Sequence, residues 1–276
     1  MQRNRSQGWT HAKLSGHKNE ENIKNLLQEN IQFQYDFLSK IDKKDAKIVQ
    51  IQIGGLHESQ VSGVLDKPTK SKTDLKIKFL SGENVKISIK KSLSGQVYFV
   101  GAENFISIFE KHFYKISNEV KRSIRLFWAA AEDAKQIISE FADKSNVKIY
   151  NSQIKHKSLN ANTLKNYNEN LYIGLLSWFK QNLEQITKLS FSMGAASDES
   201  EWSDFIWYIN TLGENSVNEI FDIQKLSLDV KNLQNQVFYG NTNGGTTIQL
   251  PFGFVQWHQA KMQFHHNFDK IKKITS

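Results

Sequence analysis

Residues 73–92, TDLKIKFLSGENVKISIKKS, alternate between apolar and polar side chains on either side of a short Ser81-Gly82-Glu83 segment. Alternation with a period of two is typical of β-strands that have one buried face. The pattern predicts two strands, residues 73–80 and 84–92, joined by a three-residue loop at Ser81-Gly82-Glu83. With that loop, the expected cross-strand pairs are Phe79 with Val85, Ile77 with Ile87, Leu75 with Ile89 and Asp74 with Lys90.

The polar face of this hairpin would carry the Asp74 carboxylate, the Ser88 hydroxyl and the Lys90 ammonium, because opposite side chains lie about 5 Å apart. A carboxylate suits Mg²⁺, and a lysine can orient water and stabilise developing negative charge. These groups together indicate a metal-dependent phosphodiesterase. An aspartate followed by such a lysine also arises by chance, so the solvated face of a lysine-rich hairpin is the alternative interpretation.

Three segments resemble the type II restriction endonucleases of the MspI-like group, which have the PD-(D/E)XK nuclease fold. Lys72-Thr73-Asp74 with Ser88-Ile89-Lys90-Lys91-Ser92 is similar to the active-site hairpin of that group. Residues 16–23 are similar to its early helix, which carries a glutamate. Phe252-Gly253-Phe254 and residues 260–264 are similar to its C-terminal strand region. The three segments occur in the family's order and span most of the chain.

The resemblance implies that Asp74 is the main metal ligand, that Lys90 is the catalytic lysine and that Glu20 lies near the metal. Ser88 falls at a position where the family carries an amide side chain, and a hydroxyl is a poorer Mg²⁺ ligand than a carboxylate. Either Glu20 and the backbone carbonyl of Ile89 supply the missing ligands, or the metal binds only together with DNA phosphate. A third interpretation is that the chain is an inactive relative.

The composition favours a globular protein with a polyanionic partner. The chain has 276 residues, of which 39% are hydrophobic, and a formal net charge of +8. It has no cysteine, which excludes disulfides and thiolate zinc sites and fits a cytoplasmic protein. We expect neither a membrane span, which needs a run of about 18 apolar residues, nor a secretory signal.

Periodicity predicts further elements along the chain. Residues 18–41 have apolar side chains at three- and four-residue steps, which predicts one helix with Glu20 near its N-terminal end. Residues 47–53 alternate like a strand and precede Gly54-Gly55, which suggests a turn or a close backbone approach. The segment after Ser92 is a loop or a short strand. Helical patterns follow at 103–142, 160–190 and 199–211, whereas residues 215–230 are ambiguous.

The C-terminal part predicts a ribbon of strands that binds DNA. Residues 241–245, NTNGG, predict a turn, and strands follow at 246–250, 252–258 and 260–264. Amide side chains can read adenine, and lysine can read guanine, at the edges of the bases. An exposed sheet edge would also hold such residues. The expected DNA-binding residues are Lys70, Lys72, Gln96, Gln249, Gln256, His258, Gln259, Lys261 and Gln263.

Together these features predict a mixed α/β fold in which a central mixed β-sheet is flanked by helices, as in PD-(D/E)XK enzymes. We expect a single domain over residues 1–276. Its catalytic core would cover 1–102, a mainly helical region 103–240, and C-terminal DNA-recognition strands 241–276.

The resemblance implies a type II restriction endonuclease that uses Mg²⁺ to hydrolyse double-stranded DNA at a short, G·C-containing palindrome of about four base pairs. It also implies 5′-phosphate and 3′-hydroxyl products, a monomer or homodimer, and a cognate DNA methyltransferase in the same prokaryotic cytoplasm. One alternative is a non-cleaving, sequence-specific DNA-binding protein on a degenerate nuclease fold. Another is a protein-interaction module whose basic charge only aids solubility.

Overall fold

The computed structural model describes residues 5–54, 60–213 and 217–276, with side chains from Ser15 onward. In chain order the helices are α1 (Arg5–Glu29), α2 (Ile31–Lys40), α3 (Ala102–His112), α4 (Asn118–Phe127), α5 (Ala134–Phe141), α6 (Val147–His156), α7 (Ala161–Tyr167), α8 (Glu169–Gln181), α9 (Leu183–Lys188), α10 (Ile223–Val230) and α11 (Phe268–Thr275). The strands are β1 (Ile48–Ile53), β2 (Val61–Ser62), β3 (Pro68–Thr69), β4 (Leu75–Phe79), β5 (Asn84–Lys90), β6 (Ser94–Val100), β7 (Phe205–Ile209), β8 (Asn218–Asp222), β9 (Phe238–Tyr239), β10 (Thr247–Leu250), β11 (Gly253–His258) and β12 (Lys261–Asn267). The chain forms two compact units, Met1–Leu93 with Phe191–Lys225 and Ser94–Ser190 with Leu226–Ser276.

The first unit is built on a mixed sheet with the strand order β1-β4-β5-β7-β8. Strands β5 and β7 are parallel, and the other neighbouring pairs are antiparallel. One face of the sheet is apolar and packs against α1 and α2. The buried residues of this core are Ile23, Leu27, Phe37, Leu38, Ile41, Ile51, Leu75, Ile77, Phe79, Val85, Ile87, Trp207 and Ile209. The predicted mixed α/β fold class is therefore confirmed, as is the strand predicted at 47–53.

The hairpin of β4 and β5 forms as predicted, but its register is shifted by two residues. The observed pairs are Leu75 with Ile87, Lys76 with Lys86, Ile77 with Val85 and Lys78 with Asn84. A shift of two residues keeps every side chain on its own face, so the apolar faces still coincide. The predicted pairing of Asp74 with Lys90 is wrong, because this register places Ser88 across from Asp74.

The turn gives the physical reason for this register. The amide of Gly82 donates to the carbonyl of Phe79 at 2.9 Å, and the amide of Phe79 donates to the carbonyl of Glu83 at 2.9 Å. These bonds close a loop of Leu80, Ser81 and Gly82. Gly82 has a φ of +89°, which glycine adopts without steric penalty and which the third residue of such a loop commonly requires. The positive φ of this glycine therefore favours the observed pairing, which the hydrogen bonds along both strands maintain.

The helix predicted over residues 18–41 is in fact two helices. Helix α1 ends at Glu29 and α2 begins at Ile31. Asn30 between them has extended backbone angles, and its side chain accepts a hydrogen bond from the amide of Phe33 at 3.0 Å, as N-cap residues do. The break leaves Ile31 in solvent, 86% exposed, although it fits the helical spacing of the core residues.

The helix predicted over residues 199–211 is wrong, because Phe205–Ile209 form strand β7. The strand lies between β5 and β8, and Ile206, Trp207 and Tyr208 are all buried. A strand covered on both faces is a continuous apolar run without alternation. Periodicity alone cannot distinguish such a run from a buried helix. The ambiguous segment that follows contributes β8 and α10.

The second unit combines helices with an antiparallel sheet in the order β6-β12-β11-β10-β9. The helices predicted at 103–142 and 160–190 are confirmed as α3 to α5 and α7 to α9. The turn predicted at 241–245 is confirmed, with Asn243, Gly244 and Gly245 at positive φ. The C-terminal ribbon belongs to a larger sheet, because β6 is a full strand that pairs with β12.

The two units divide the chain differently from the three regions expected at 1–102, 103–240 and 241–276. Phe191–Lys225 belong to the first unit because β7 and β8 complete its sheet beside β5. Residues from Ser94 onward belong to the second unit because β6 pairs with β12. The single-domain organisation stays a prediction. No helix in the described ranges is both long and apolar enough to cross a membrane.

Candidate active site and nucleic-acid interface

Direct hydrogen bonds bring Asp74, Ser88 and Lys90 together where β4 begins and β5 ends. Ser88 Oγ donates to Asp74 Oδ2 at 3.3 Å, and Lys90 Nζ donates to Ser88 Oγ at 2.7 Å. The backbone amide of Ile89 donates to the same Asp74 oxygen at 2.6 Å. Ser88 is buried and forms a neutral bridge between the acid and the lysine.

Backbone contacts hold Asp74 between strands β1 and β5. Its amide donates to the carbonyl of Ile87 at 2.8 Å, and its carbonyl accepts the amide of Gly54 at 2.8 Å. A Cβ atom at Gly54 would lie 2.2 Å from the carbonyl oxygen of Thr73, so a side chain there would push the two strands apart. The close backbone approach predicted at Gly54 is confirmed, whereas Gly55 lies outside the described residues.

Glu20 reaches the site from α1, well inside that helix rather than near its N-terminal end, so the predicted helix-end position is wrong. Its carboxylate lies 3.2 Å from His17 Nδ1, one turn earlier. The preceding Asn19 is fully buried. Its side-chain Nδ2 donates to the carbonyl of Ile209 at 3.1 Å, and its Oδ1 accepts a hydrogen bond from the backbone amide of Thr211 at 2.7 Å. These bonds fix the rotation of α1 about its axis and thereby the direction of Glu20.

The electrostatics of this cluster are strongly perturbed. Burial, followed by the negative charge of Asp74, raises the pKa of Glu20 to about 7 against the opposing effect of His17. Burial also raises the pKa of Asp74, although the charge of Lys90 opposes the shift. Burial lowers the pKa of Lys90, and here the two acids oppose it. Several ionisable groups with shifted pKa values in one cluster are typical of functional sites.

Lys72 is a further charged group of this cluster, although the sequence suggested only a DNA contact for it. Burial, followed by the positive charge of Lys90, lowers the pKa of Lys72 to about 7, and Asp74 opposes the shift. Lys70, two residues earlier, is exposed. The available sequence signal is the short separation of Lys72 from Asp74 in the connection between β3 and β4.

The two carboxylates form a donor set that suits Mg²⁺. No group of three His, Cys, Asp or Glu side chains lies together as a metal site within the described part of the chain. Mg²⁺ commonly takes one or two protein carboxylates and keeps water at its other positions. Asp74 and Glu20 are such a pair, and their mutual repulsion is what a bound cation would relieve. The Ile89 carbonyl, also a predicted ligand, accepts a bond from Lys90 Nζ at 3.3 Å.

A second polar cluster lies on one face of the sheet in the second unit. Gln263 Nε2 donates to Gln96 Oε1 at 2.8 Å, and Gln256 Nε2 donates to Gln263 Oε1 at 2.9 Å. Gln256 Nε2 also lies 3.3 Å from His265 Nε2. We call Gln96, Gln256, Gln263 and His265 the amide ladder. It joins side chains from β6, β12 and β11, three strands that only the folded sheet brings side by side.

Other predicted DNA-binding residues surround the amide ladder. By strand register Gln249, His258 and Lys261 share its face. Lys261 Nζ lies 4.8 Å from the ring centroid of Phe99. Gln259 differs from the rest, because it sits in the turn between β11 and β12 with a φ of +49°. Amide and imidazole groups supply neutral donors and acceptors, which are the groups that read base edges.

Aromatic stacking positions the imidazole of the amide ladder. His265 stacks on Phe254 with 4.4 Å between ring centroids. The adjacent His266 is buried on the opposite face of the sheet, as expected of consecutive residues in a strand.

Comparison with known proteins finds a similarity in structure. No protein-family model matches the chain, and no curated protein matches it. Among solved structures, the chain is similar to the crystal structure of restriction endonuclease MspI in complex with its cognate DNA, with a TM-score of 0.46 and 14% sequence identity. The similarity covers 88% of this chain and 83% of that chain.

Proposed function

We propose that this protein is a type II restriction endonuclease that hydrolyses phosphodiester bonds of double-stranded DNA with Mg²⁺. The observation that carries the proposal is the hydrogen-bonded set of Asp74, Ser88 and Lys90, with Glu20 near enough for its charge to interact with theirs. Acids and lysines in one partly buried polar site suit phosphoryl transfer, because that reaction depends on positioning and charge stabilisation.

Each residue of this set has a role in the proposed reaction. Asp74 and Glu20 would hold Mg²⁺, with the carbonyl of Ile89 as a further oxygen donor. When bound, the ion supplies positive charge to the scissile phosphate and lowers the pKa of a coordinated water. Lys90, held by Ser88, orients the attacking water, and Ser88 bonds both charged groups without adding charge. The products are a 5′-phosphate and a 3′-hydroxyl.

The amide ladder is the proposed base-reading surface. Together with Gln249, His258 and Lys261 it would recognise a short, G·C-containing palindrome of about four base pairs through base edges. Lys70 and Gln259 would also contact the DNA. The net charge of +8 supports a polyanionic partner. The proposal includes a cognate DNA methyltransferase in the same prokaryotic cytoplasm and a monomer or homodimer as the working form.

A non-cleaving, sequence-specific DNA-binding protein is the second candidate. Ser88 stands where an acid would strengthen metal binding, and the described residues provide only two carboxylates for the ion. This candidate predicts DNA affinity that is the same with and without Mg²⁺, and the Lys90→Ala variant would then have no activity to lose.

Digestion of unmethylated phage-length DNA with Mg²⁺ tests the two candidates. The wild type is compared with Asp74→Ala and Lys90→Ala, and with Lys78→Ala as a matched control, since Lys78 is an exposed lysine of the same hairpin. We expect discrete fragments from the wild type and the control, and none from the other two variants. Salt-sensitive binding without cleavage would favour the second candidate. The absence of both would contradict both candidates and favour a protein-interaction module.

A further inference from the structure

Helix α6 and the turn that follows it lie in a segment without acidic residues. Between Asp143 and Glu169 the sequence has five lysines and neither aspartate nor glutamate. One of them, Lys165, pairs with Glu169 at 3.7 Å. The other four are exposed, and no carboxylate of the described residues lies within ion-pair distance of them. We call these four the lysine surface: Lys144, Lys148, Lys155 and Lys157.

Nearby helices of the second unit balance their positive charges with acids. Arg122 Nη1 donates to Asp133 Oδ1 at 2.8 Å, and Arg125 Nε donates to Glu103 Oε1 at 2.6 Å. Protein surfaces usually carry charges of both signs side by side, whereas a surface of one sign attracts a ligand of the opposite charge. The lysine surface therefore suits an anionic ligand.

Two members of the lysine surface share one exposed face of α6. Lys148 and Lys155 are seven residues apart, which corresponds to two helical turns and about 10 Å along the axis. Asn151 and Ser152 between them are also exposed. Lysine, serine and asparagine side chains all donate to phosphate oxygens. Successive phosphates of one DNA strand are separated by about 3.4 Å along the duplex, so the two lysines would reach different phosphates.

The end of α6 is held in a fixed position. Lys157 ends the helix in the left-handed conformation, with a φ of +52°, which glycine or asparagine adopts more easily. Ser158 Oγ donates to the carbonyl of Phe127 at 2.6 Å, and the amide of Leu159 donates to the carbonyl of Leu126 at 3.0 Å. A ligand of the lysine surface therefore does not have to order the backbone that carries it.

Two contacts attach this segment to the sheet that carries the amide ladder. The ring of His156, between Lys155 and Lys157, lies 4.5 Å from the ring of Trp257 in β11, measured between centroids. The amide of Ala161 donates to the carbonyl of Gly245 at 2.8 Å, in the turn before β10. These contacts fix the lysine surface to β11 and to the start of β10.

Both contacts adjoin the amide ladder. Trp257 lies between Gln256 and His258 in β11. Thr247, at the start of β10, pairs with Gln256. The segment that carries the lysine surface therefore borders the end of the sheet where Gln256 and His258 lie.

We propose that the lysine surface binds the phosphodiester backbone of duplex DNA beside the bases that the amide ladder reads; this inference rests on the DNA-binding part of the proposed function. The amide ladder supplies hydrogen-bonding groups but no charge. Much of the affinity of proteins for DNA comes from cations that contact phosphates, and these contacts also fix the register of the protein on the duplex. The lysine surface supplies such cations without a preference for sequence.

The salt dependence of DNA binding tests this role. The probe is a fluorescent duplex of about 30 base pairs and arbitrary sequence, and its anisotropy is measured without divalent cation at increasing KCl concentrations. The wild type is compared with the triple variant Lys148→Gln, Lys155→Gln and Lys157→Asn, since asparagine tolerates the left-handed conformation. The matched control removes the same charge from exposed lysines elsewhere in the second unit: Lys111→Gln, Lys115→Gln and Lys231→Gln.

We expect the triple variant to bind the duplex roughly 10-fold or more weakly than the wild type. The slope of log affinity against log salt should become shallower by about 2 to 3, because each lost phosphate contact contributes about 0.9. The control should keep the wild-type slope. Thermal denaturation checks that both variants fold, and the double variant Lys148→Gln and Lys155→Gln provides the same comparison if the triple variant does not.

A wild-type slope in the triple variant would overturn the inference, and cleavage by the wild type with Mg²⁺ would then leave the proposed function intact. An equal reduction in the triple variant and the control would also overturn it, because net charge alone would explain the effect. Competition by poly-L-glutamate as strong as that by DNA would assign the surface to an acidic protein instead. A reduced slope without any wild-type cleavage would keep the inference and favour the non-cleaving candidate. A wild type that does not bind DNA would remove both.

Discussion

The polar faces of the two sheets differ in electrostatic character. On the first, two acids and two lysines share a partly buried site, where the pKa of Glu20 rises to about 7 and that of Lys72 falls to about 7. On the second, the amide ladder joins neutral groups through hydrogen bonds of 2.8 and 2.9 Å. Burial, followed by the charge of His258, lowers the pKa of His265 and favours its neutral form.

This difference separates two kinds of function. Partly buried charges reduce stability, and a protein retains them where chemistry needs them. Neutral groups that hydrogen-bond to one another, as in the amide ladder, lower the stability of the protein little. A ligand can later replace these hydrogen bonds with its own. The first face is therefore suited to catalysis and the second to recognition, and substitutions on the two faces should have different consequences.

The largest effect is expected from Asp74→Asn on the first face. The saturating cleavage rate should fall roughly 1,000-fold or more, because the main metal ligand loses its charge. The melting temperature should stay constant or rise, since burial already disfavours the carboxylate charge. Single-turnover kinetics and thermal denaturation followed by circular dichroism would measure both. Cleavage near the wild-type rate would show that the first face is not the catalytic one.

Gln263→Leu tests the second face, because Gln263 is the central member of the amide ladder. We expect affinity for the target sequence to fall roughly 10- to 100-fold, corresponding to the loss of one good base contact of about 1–3 kcal/mol. The saturating cleavage rate should change little. Fluorescence anisotropy with target and single-mismatch duplexes would measure the loss. Gln236→Leu, at an exposed amide outside the sheet, is the control. Equal losses for both variants would contradict the assignment.

The stability of the protein should depend on pH because of Glu20 on the first face. Glu20 has a pKa of 4.5 when unfolded and about 7 when folded, so between these values the folded state holds a proton that the unfolded state has lost. Stability should therefore fall as pH rises from about 4.5 to about 7, by roughly 1–3 kcal/mol. Urea denaturation of the metal-free protein at several pH values would measure the slope. Glu20→Gln should flatten it, and a slope retained in that variant would assign it to other groups.

The smallest effect is expected at the hairpin turn, from Gly82→Ala. No neighbouring atom lies within 4 Å of the added methyl group, so the cost comes only from the positive φ, about 1 kcal/mol. Urea denaturation would measure this loss, and the cleavage rate should be unchanged because the register is held by the rest of both strands. Loss of activity at unchanged stability would mean that the turn itself contacts the substrate.

The local elements could be predicted where period and residue type agree. Leu75, Ile77 and Phe79 alternate with lysines, and both hairpin strands follow from them. The register could not be predicted from alternation, since a shift of two residues preserves both faces. Trp207 and its neighbours in β7 gave an apolar run without alternation, and burial on both faces is the reason.

The site could be predicted only in part. Asp74 and Lys90 were identifiable because the residue types and the resemblance pointed to the same hairpin. Lys72 was recognised only as a DNA contact, because its environment depends on Gly194, far away in the sequence. The role of the buried Asn19 in orienting α1 could not be predicted from the sequence, because its partners Ile209 and Thr211 lie far away in the chain.

The sequence by itself determined which segments are strands or helices where one face is buried, and it supplied the acid, hydroxyl and lysine of one hairpin. Only the tertiary structure decided the pairing of β5 with β7, the entry of Lys72 into the site and the assembly of the amide ladder from three strands. The physical reason is that periodicity reports burial of neighbouring residues along the chain. Hydrogen bonds and charges between distant segments leave no periodic trace, because they depend on how the segments pack together.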